Sequence, residues 1–166
     1  MPIRPDLVEC WVFRVPTDAS PAYLLIRRAD DRIYPGLWQP VTGRLAPGET
    51  APRAALREVR EETGLGPEDV EVFYDLDQVA SFYDEDSDAV VMSVVFAVRV
   101  RAGADVQVSI EHEGLAWVDE DEALDRSVWP AYRESLQLIG RLVDDPALAR
   151  WFELDPDGRR MARPPR

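Results

Sequence analysis

An α/β sandwich built as one domain is what the sequence predicts, and three stretches predict it. Val90 to Val100 (VVMSVVFAVRV) is a β-branched run of strand length. Thr50 to Gly64 reads as a helix with both ends marked. Pro130 to about Val143 reads as a later helix with the apolar stripe Leu136, Ile139, Leu142 and Val143. At 166 residues and 46% hydrophobic, the chain suits a single domain with a sizeable core. No repeat or linker divides it.

Taken in order, Leu7 to Val15 and Ala22 to Arg28 read as strands joined by a loop carrying Pro16 and Pro21. Asp30-Asp31 and Tyr34-Pro35-Gly36 follow as turns. Trp38 to Leu45 is a short strand, and the loop to Glu49 leads into the first helix. That helix takes Thr50 as N-cap and Pro52 in its first turn, where a missing N–H costs little. Gly64 supplies its left-handed stop, and Leu56 and Val59 anchor it to a core. Glu68 to Asp77 reads as a strand ahead of the β-branched run, and Val106 to Ser109 as a strand or an edge. Leu115 to Val118 is a short strand, after which Asp119 caps a helical stretch from Glu120. The stretch from Asp155 to Arg166 is rich in proline and arginine and reads as flexible.

The first helix carries the chemistry. At 3.6 residues per turn, Glu58, Glu61 and Glu62 share one arc of about 100°. Like charges at this spacing repel by a few tenths of a kcal/mol per pair, and a divalent cation would reverse that sign. An oxygen-only set suits Mg²⁺ or Mn²⁺ rather than zinc. For the three glutamates alone, a solvated acidic face is the favoured reading, because charge runs are usually solvated.

The neighbouring residues change that balance. Gly43, five residues, Glu49, seven residues, Arg57-Glu58-Val59, then Glu61-Glu62 and Gly64-Leu65 match the Nudix box in full. The chain resembles a Nudix hydrolase. The resemblance implies a mixed central sheet between helices, one Nudix domain over residues 1–154, and a C-terminal tail over 155–166. It implies that Glu58, Glu61 and Glu62 hold Mg²⁺, with Mn²⁺ as the alternative, and that the main chain at Thr42-Gly43 adds a carbonyl. Arg57 would orient the glutamates, and Glu49 would buttress the loop. A further carboxylate from beyond the box is implied as well, Glu111 first and Glu113 second, with His112 between them as a positioning residue. Glu58 is the first choice as general base, and Glu111 the second.

Patches from Tyr23 to Val143 resemble bacterial deoxynucleoside triphosphate and dihydroneopterin triphosphate pyrophosphohydrolases. The implied reaction is metal-dependent hydrolysis of a nucleoside triphosphate or related organic diphosphate to a monophosphate and pyrophosphate. Tyr83 stands about where dinucleoside polyphosphate hydrolases carry a tyrosine, which makes that group the alternative. A non-catalytic nucleotide sensor is a third reading, although such domains usually lose box glutamates. For substrate contacts, Arg27, Arg28 and Arg44 are candidate phosphate clamps, and strand alternation allows only one of the first two to serve. Tyr34, Trp38, Phe82 and Tyr83 are candidate stacking residues that compete with core packing.

Composition narrows the rest. With 32 acidic against 19 basic residues the net charge is −13, which argues against nucleic acid and anionic membranes as partners. There is no lysine, which excludes P-loop, protein-kinase and Schiff-base chemistry. One histidine and one cysteine cannot build a His/Cys zinc site. Cys10, in an apolar run, fits an inert thiol in a reducing cytoplasm. The N-terminus shows no signal-peptide pattern, and no apolar run spans a bilayer. Asp84 to Asp88 lacks the Gly and Glu of an EF-hand and reads as a solvated loop. A small nucleotide is the expected partner, and a homodimer the assembly expected if the tail docks on a second subunit.

Overall fold

Six consecutive residues, Val8 to Phe13, are buried, and this makes β1 (Leu7–Arg14) the centre of the sheet. The structure is a computed structural model that describes residues 3–17, 19–32, 34–107, 109 and 112–162. Alternation sends Val8, Cys10 and Val12 to one face and Trp11 and Phe13 to the other, so β1 feeds two cores. A strand covered on both sides loses the polar/apolar alternation of an edge strand, hence the run VECWVF.

Around β1 lie β2 (Ala22–Arg28), β3 (Trp38–Gln39) and β4 (Val41–Arg44), then α1 (Ala51–Thr63), β5 (Val70–Asp84), β6 (Ala89–Val100) and β7 (His112–Val118). The chain ends with α2 (Glu120–Arg126), α3 (Pro130–Asp144), the short α4 (Pro146–Ala149) and β8 (Glu153–Leu154). The sheet order is β3-β2-β1-β6-β5-β8, with β4 also on β1 and β7 also on β2. Among the described residues only β1 and β6 run parallel; every other pairing there is antiparallel. The sheet is therefore mixed. Helix α1 packs on the Cys10 face through Ala54, Ala55 and Val59, while α2 and α3 cover the Trp11 face through Ala123, Leu136 and Ile139. This is the α/β sandwich that the sequence implies.

Helix α1 approaches closely because two of its three sheet-facing residues are alanines. Burying Val59 contributes about 1.5–3 kcal/mol. Thr50 is the N-cap residue by backbone conformation, but its side chain makes no capping hydrogen bond. Gly64, at φ 75°, closes the helix by donating its N–H to the Arg60 carbonyl. At the other cap, the Asp119 side chain accepts from the Glu122 N–H at 2.9 Å, as expected.

Five expectations change. The strand expected at Trp38 to Leu45 is two, β3 on β2 and β4 on β1, and the strand expected at Leu115 to Val118 begins at His112. The strand expected at Glu68 to Asp77 is β5, which begins at Val70 and continues to Asp84. A bulge between Asp75 and Gln78, with Asp77 at φ 54°, interrupts its alternation and hides its second half from pattern reading. Val106 to Ser109 forms no strand among the described residues. Gln107 and Ser109 instead donate their N–H groups to the Thr63 and Glu62 carbonyls at the end of α1. The stretch read as flexible is docked over residues 155–162: Arg160 bridges Leu154 and pairs with Asp75 at 2.8 Å, and Asp157 accepts from Arg53 at 2.9 Å. Composition misread it because its Arg160 and its Asp157 each find a partner of opposite charge elsewhere on this chain. Asp84 to Asp88 is the β5–β6 hairpin turn, as expected.

Candidate active site

Strand β4 lies antiparallel on β1 with Gly43 opposite Val8, which puts Gly43 on the α1 face of the sheet. A Cβ at Gly43 would collide with the carboxyl carbon of Glu58. The box therefore needs glycine here to seat a carboxylate on bare backbone.

Arg57 gathers the loop and the helix. Its Nε and Nη2 donate to the two oxygens of Glu49 at 2.8 and 2.9 Å. Its Nη1 donates to Glu58 at 2.7 Å and Glu61 at 3.1 Å, and Nη2 also reaches the Arg44 carbonyl at 2.9 Å. Glu49 accepts in addition from the Ala46 N–H at 2.9 Å. These bonds, those from Arg57 first, hold the Glu49 carboxyl down at about 2. Glu58 moves the other way. Burial pushes its carboxyl up, against the pull of Arg57.

The three box glutamates differ in exposure. Glu61 is 59% exposed, whereas the Glu62 residue is 6% exposed. Glu62 Oε2 lies 3.9 Å from Nε2 of His112, itself buried, and Ser109 Oγ is 3.3 Å from His112 Nδ1. Among the described residues no three acidic, histidine or cysteine side chains converge tightly enough to hold an ion. Glu111, expected as a further ligand, lies outside the described residues. The donors present still fit a hard divalent ion: Glu58 and Glu61 already turn toward one cationic N–H group, and Glu62 follows one residue along the helix.

The other expected residues lie in different places. Arg27 donates to Glu113 at 3.2 Å and stands opposite Trp38 in the β2–β3 pair. Both lie one residue off Ile26, hence on the face away from α1. In that placement Arg27 and Glu113 form an ion pair with each other, both side chains partly exposed. Arg28 pairs across the strands with His112. Arg44 contributes its carbonyl, while its side chain leaves β4 on the face opposite Gly43. Thr42 stands opposite Glu9, and its hydroxyl accepts from Gln39 at 3.5 Å. Trp38 packs on the α2/α3 core under the Arg126 guanidinium, 4.6 Å from its ring centre. Tyr83 is exposed near the end of the β5–β6 hairpin and donates to Asp88 at 2.8 Å.

Two features escaped the sequence reading. Glu9 is buried beside Trp11, whose Nε1 donates to it at 2.9 Å, and burial pushes its carboxyl up to about 7. Its only sequence signal was a charged residue inside an apolar run. The approach of His112 to Glu62 was the second, and no spacing rule links positions 50 residues apart.

The family model of the NUDIX domain matches residues 9–139. The chain belongs to the Nudix family. Among curated relatives, the nucleoside triphosphatase NudI of Escherichia coli O81 (strain ED1a) is 32% identical over 126 residues, 73% of this chain and 89% of NudI. A protein named octanoyltransferase from Myxococcus xanthus is 40% identical over 116 residues, 69% of this chain but only 31% of that protein. Among solved structures, a C. elegans Ap4A hydrolase binary complex superposes with TM-score 0.71 at 20% identity, covering 85% of this chain and 98% of that one. The E. coli dihydroneopterin triphosphate pyrophosphohydrolase gives 0.68 at 24%, covering 81% and 93%. At those identities the two structures share the Nudix fold. No described helix is long and apolar enough to cross a membrane.

Proposed function

We propose that this Nudix hydrolase converts a nucleoside triphosphate, or a related organic diphosphate, to a monophosphate and pyrophosphate, with Mg²⁺ as its ion and Mn²⁺ as the alternative. One observation carries the reading: Arg57 holds Glu49, Glu58 and Glu61 together against the β4 backbone, where Gly43 leaves room for a carboxylate. Glu58, Glu61, Glu62 and the Thr42 carbonyl are the proposed ligands, and Glu111 enters from the family resemblance alone. A divalent ion there would offset phosphoryl charge and make a coordinated water more acidic.

The chain's own residues supply the rest. Glu58 is the proposed general base, its carboxyl seated against the Gly43 backbone within the cluster. Arg57 is a positioning residue whose fork keeps Glu58 and Glu61 turned to the same point. His112 and Ser109 are proposed to position Glu62. Water attacks the α-phosphorus and pyrophosphate leaves, without a covalent enzyme intermediate. The name of NudI, a relative of nearly the same span, supports a nucleoside triphosphate as substrate class. Acyl transfer is not proposed, because the octanoyltransferase likeness covers under a third of that protein.

A dinucleoside polyphosphate substrate is less well supported. Its sequence sign was Tyr83, which the hairpin holds against Asp88. A silent sensor domain is disfavoured because Glu58, Glu61 and Glu62 are all kept. A reducing cytoplasm is proposed on the single buried Cys10.

Hydrolysis of a deoxynucleoside triphosphate panel in ¹⁸O-labelled water tests the reading. Labelled monophosphate plus unlabelled pyrophosphate is expected. Label in the pyrophosphate would move the attack to the β-phosphorus, and orthophosphate release would exclude pyrophosphohydrolysis.

A further inference from the structure

Behind α1, on its flank away from Gly43, an apolar groove of about 430 Å³ runs between the helix, β5 and the C-terminal segment. Leu65, Phe73 and Leu154 form its floor, Leu56 and Val59 one wall, and Met161 the opposite lip. The groove exists because β8 pairs with β5 only at Phe73 and Tyr74, and the docked residues 155–161 cover part of the gap. Its volume lies in the range of small-ligand pockets. About one turn of α-helix would fill it, less than a docking helix presents. A small molecule therefore fits better than a peptide helix.

The charges around the rim are unequal. Arg57 is fully engaged with carboxylates and a carbonyl, and Glu71 is held by Arg99 at 3.1 Å. Arg60 makes no side-chain hydrogen bond or ion pair among the described residues, although the chain carries a net charge of −13. Glu153 also lines the groove, and its carboxylate disfavours an anion beside it. We infer that this groove is a second binding site, taking a small amphipathic anion with its apolar body against Leu56, Val59 and Phe73 and its anionic head at Arg60. The site shares α1 with the glutamate cluster but none of the carboxylates, so its occupancy is read without any hydrolysis assay.

Decanoate, titrated into the full chain and followed by two-dimensional amide NMR, is the probe. Saturable one-to-one binding is expected, with shifts centred on Val59, Leu65, Phe73 and Leu154. Arg60→Glu should weaken it at least tenfold, and decyltrimethylammonium, of opposite charge, should bind at least tenfold more weakly. Leu56→Trp, which fills the groove, should also abolish the shifts. If that variant fails to fold, Arg60→Glu and the charge-reversed probe still decide. Absent or non-saturable binding, shifts centred elsewhere, or equal binding of both probes and of Arg60→Glu would each overturn the inference.

Discussion

At the residue scale, the site depends on two groups with opposite needs: an arginine whose donors are all engaged and a glycine that must have no side chain. Gly43→Ala places a methyl where the Glu58 carboxyl sits. The backbone of β4 or the helix must then move, at about 1–3 kcal/mol for overpacking. Denaturant melts should show that loss, and hydrolysis should fall more than stability does, because Glu58 is displaced. Glu49 sets an acid limit. Its carboxyl falls from an ordinary 4.5 to about 2 in the folded chain. Its stabilising contribution is therefore complete above pH 4.5 and is lost as pH falls toward 2. Urea melts across pH 2–6 should be less steeply pH-dependent in Glu49→Gln than in the parent; identical profiles would remove Glu49 as the acid-sensitive tie.

At the scale of elements, the C-terminal segment is a strap rather than a tail. Gly158 takes φ 83°, and a Cβ there would meet the Pro52 ring at the start of α1. Gly158→Ala should thus cost about 1 kcal/mol or more through backbone strain alone. Hydrogen exchange should locate the loosening at residues 153–161 and the first turn of α1; a uniform change across the sheet would contradict a local strap. Elements whose signals are local were legible in the sequence. Helix α1 announced both ends through Thr50, Pro52 and Gly64, and β6 through its branched residues. What stayed hidden depends on partners far along the chain. The second half of β5 lies beyond the bulge at Asp75 to Gln78, and the strap is held by Arg160 on Asp75 and Arg53 on Asp157. The site divides in the same way. The Arg57, Glu58 and Glu61 grouping follows from helical spacing. The sheet faces taken by Arg27 and Trp38 follow only from the β2–β3 pairing.

At the scale of the molecule, a sheet buried on both sides separates two kinds of surface. The glutamate cluster and Gly43 occupy the α1 face, whereas Trp38 and Arg27 lie on the α2/α3 face. The central claim is that the α1 face performs ion-dependent pyrophosphate release. It is tested most directly by titrating Mg²⁺ into the wild type, Glu58→Gln and Glu62→Gln with a deoxynucleoside triphosphate while following pyrophosphate. The wild type should be silent without the ion and saturate with it. Glu58→Gln should lose about 10²–10⁴-fold in kcat with an unchanged fold, and Glu62→Gln should need more Mg²⁺ for half-maximal rate. Ion-independent release, or near-wild-type Mg²⁺ curves from both variants, would contradict the account.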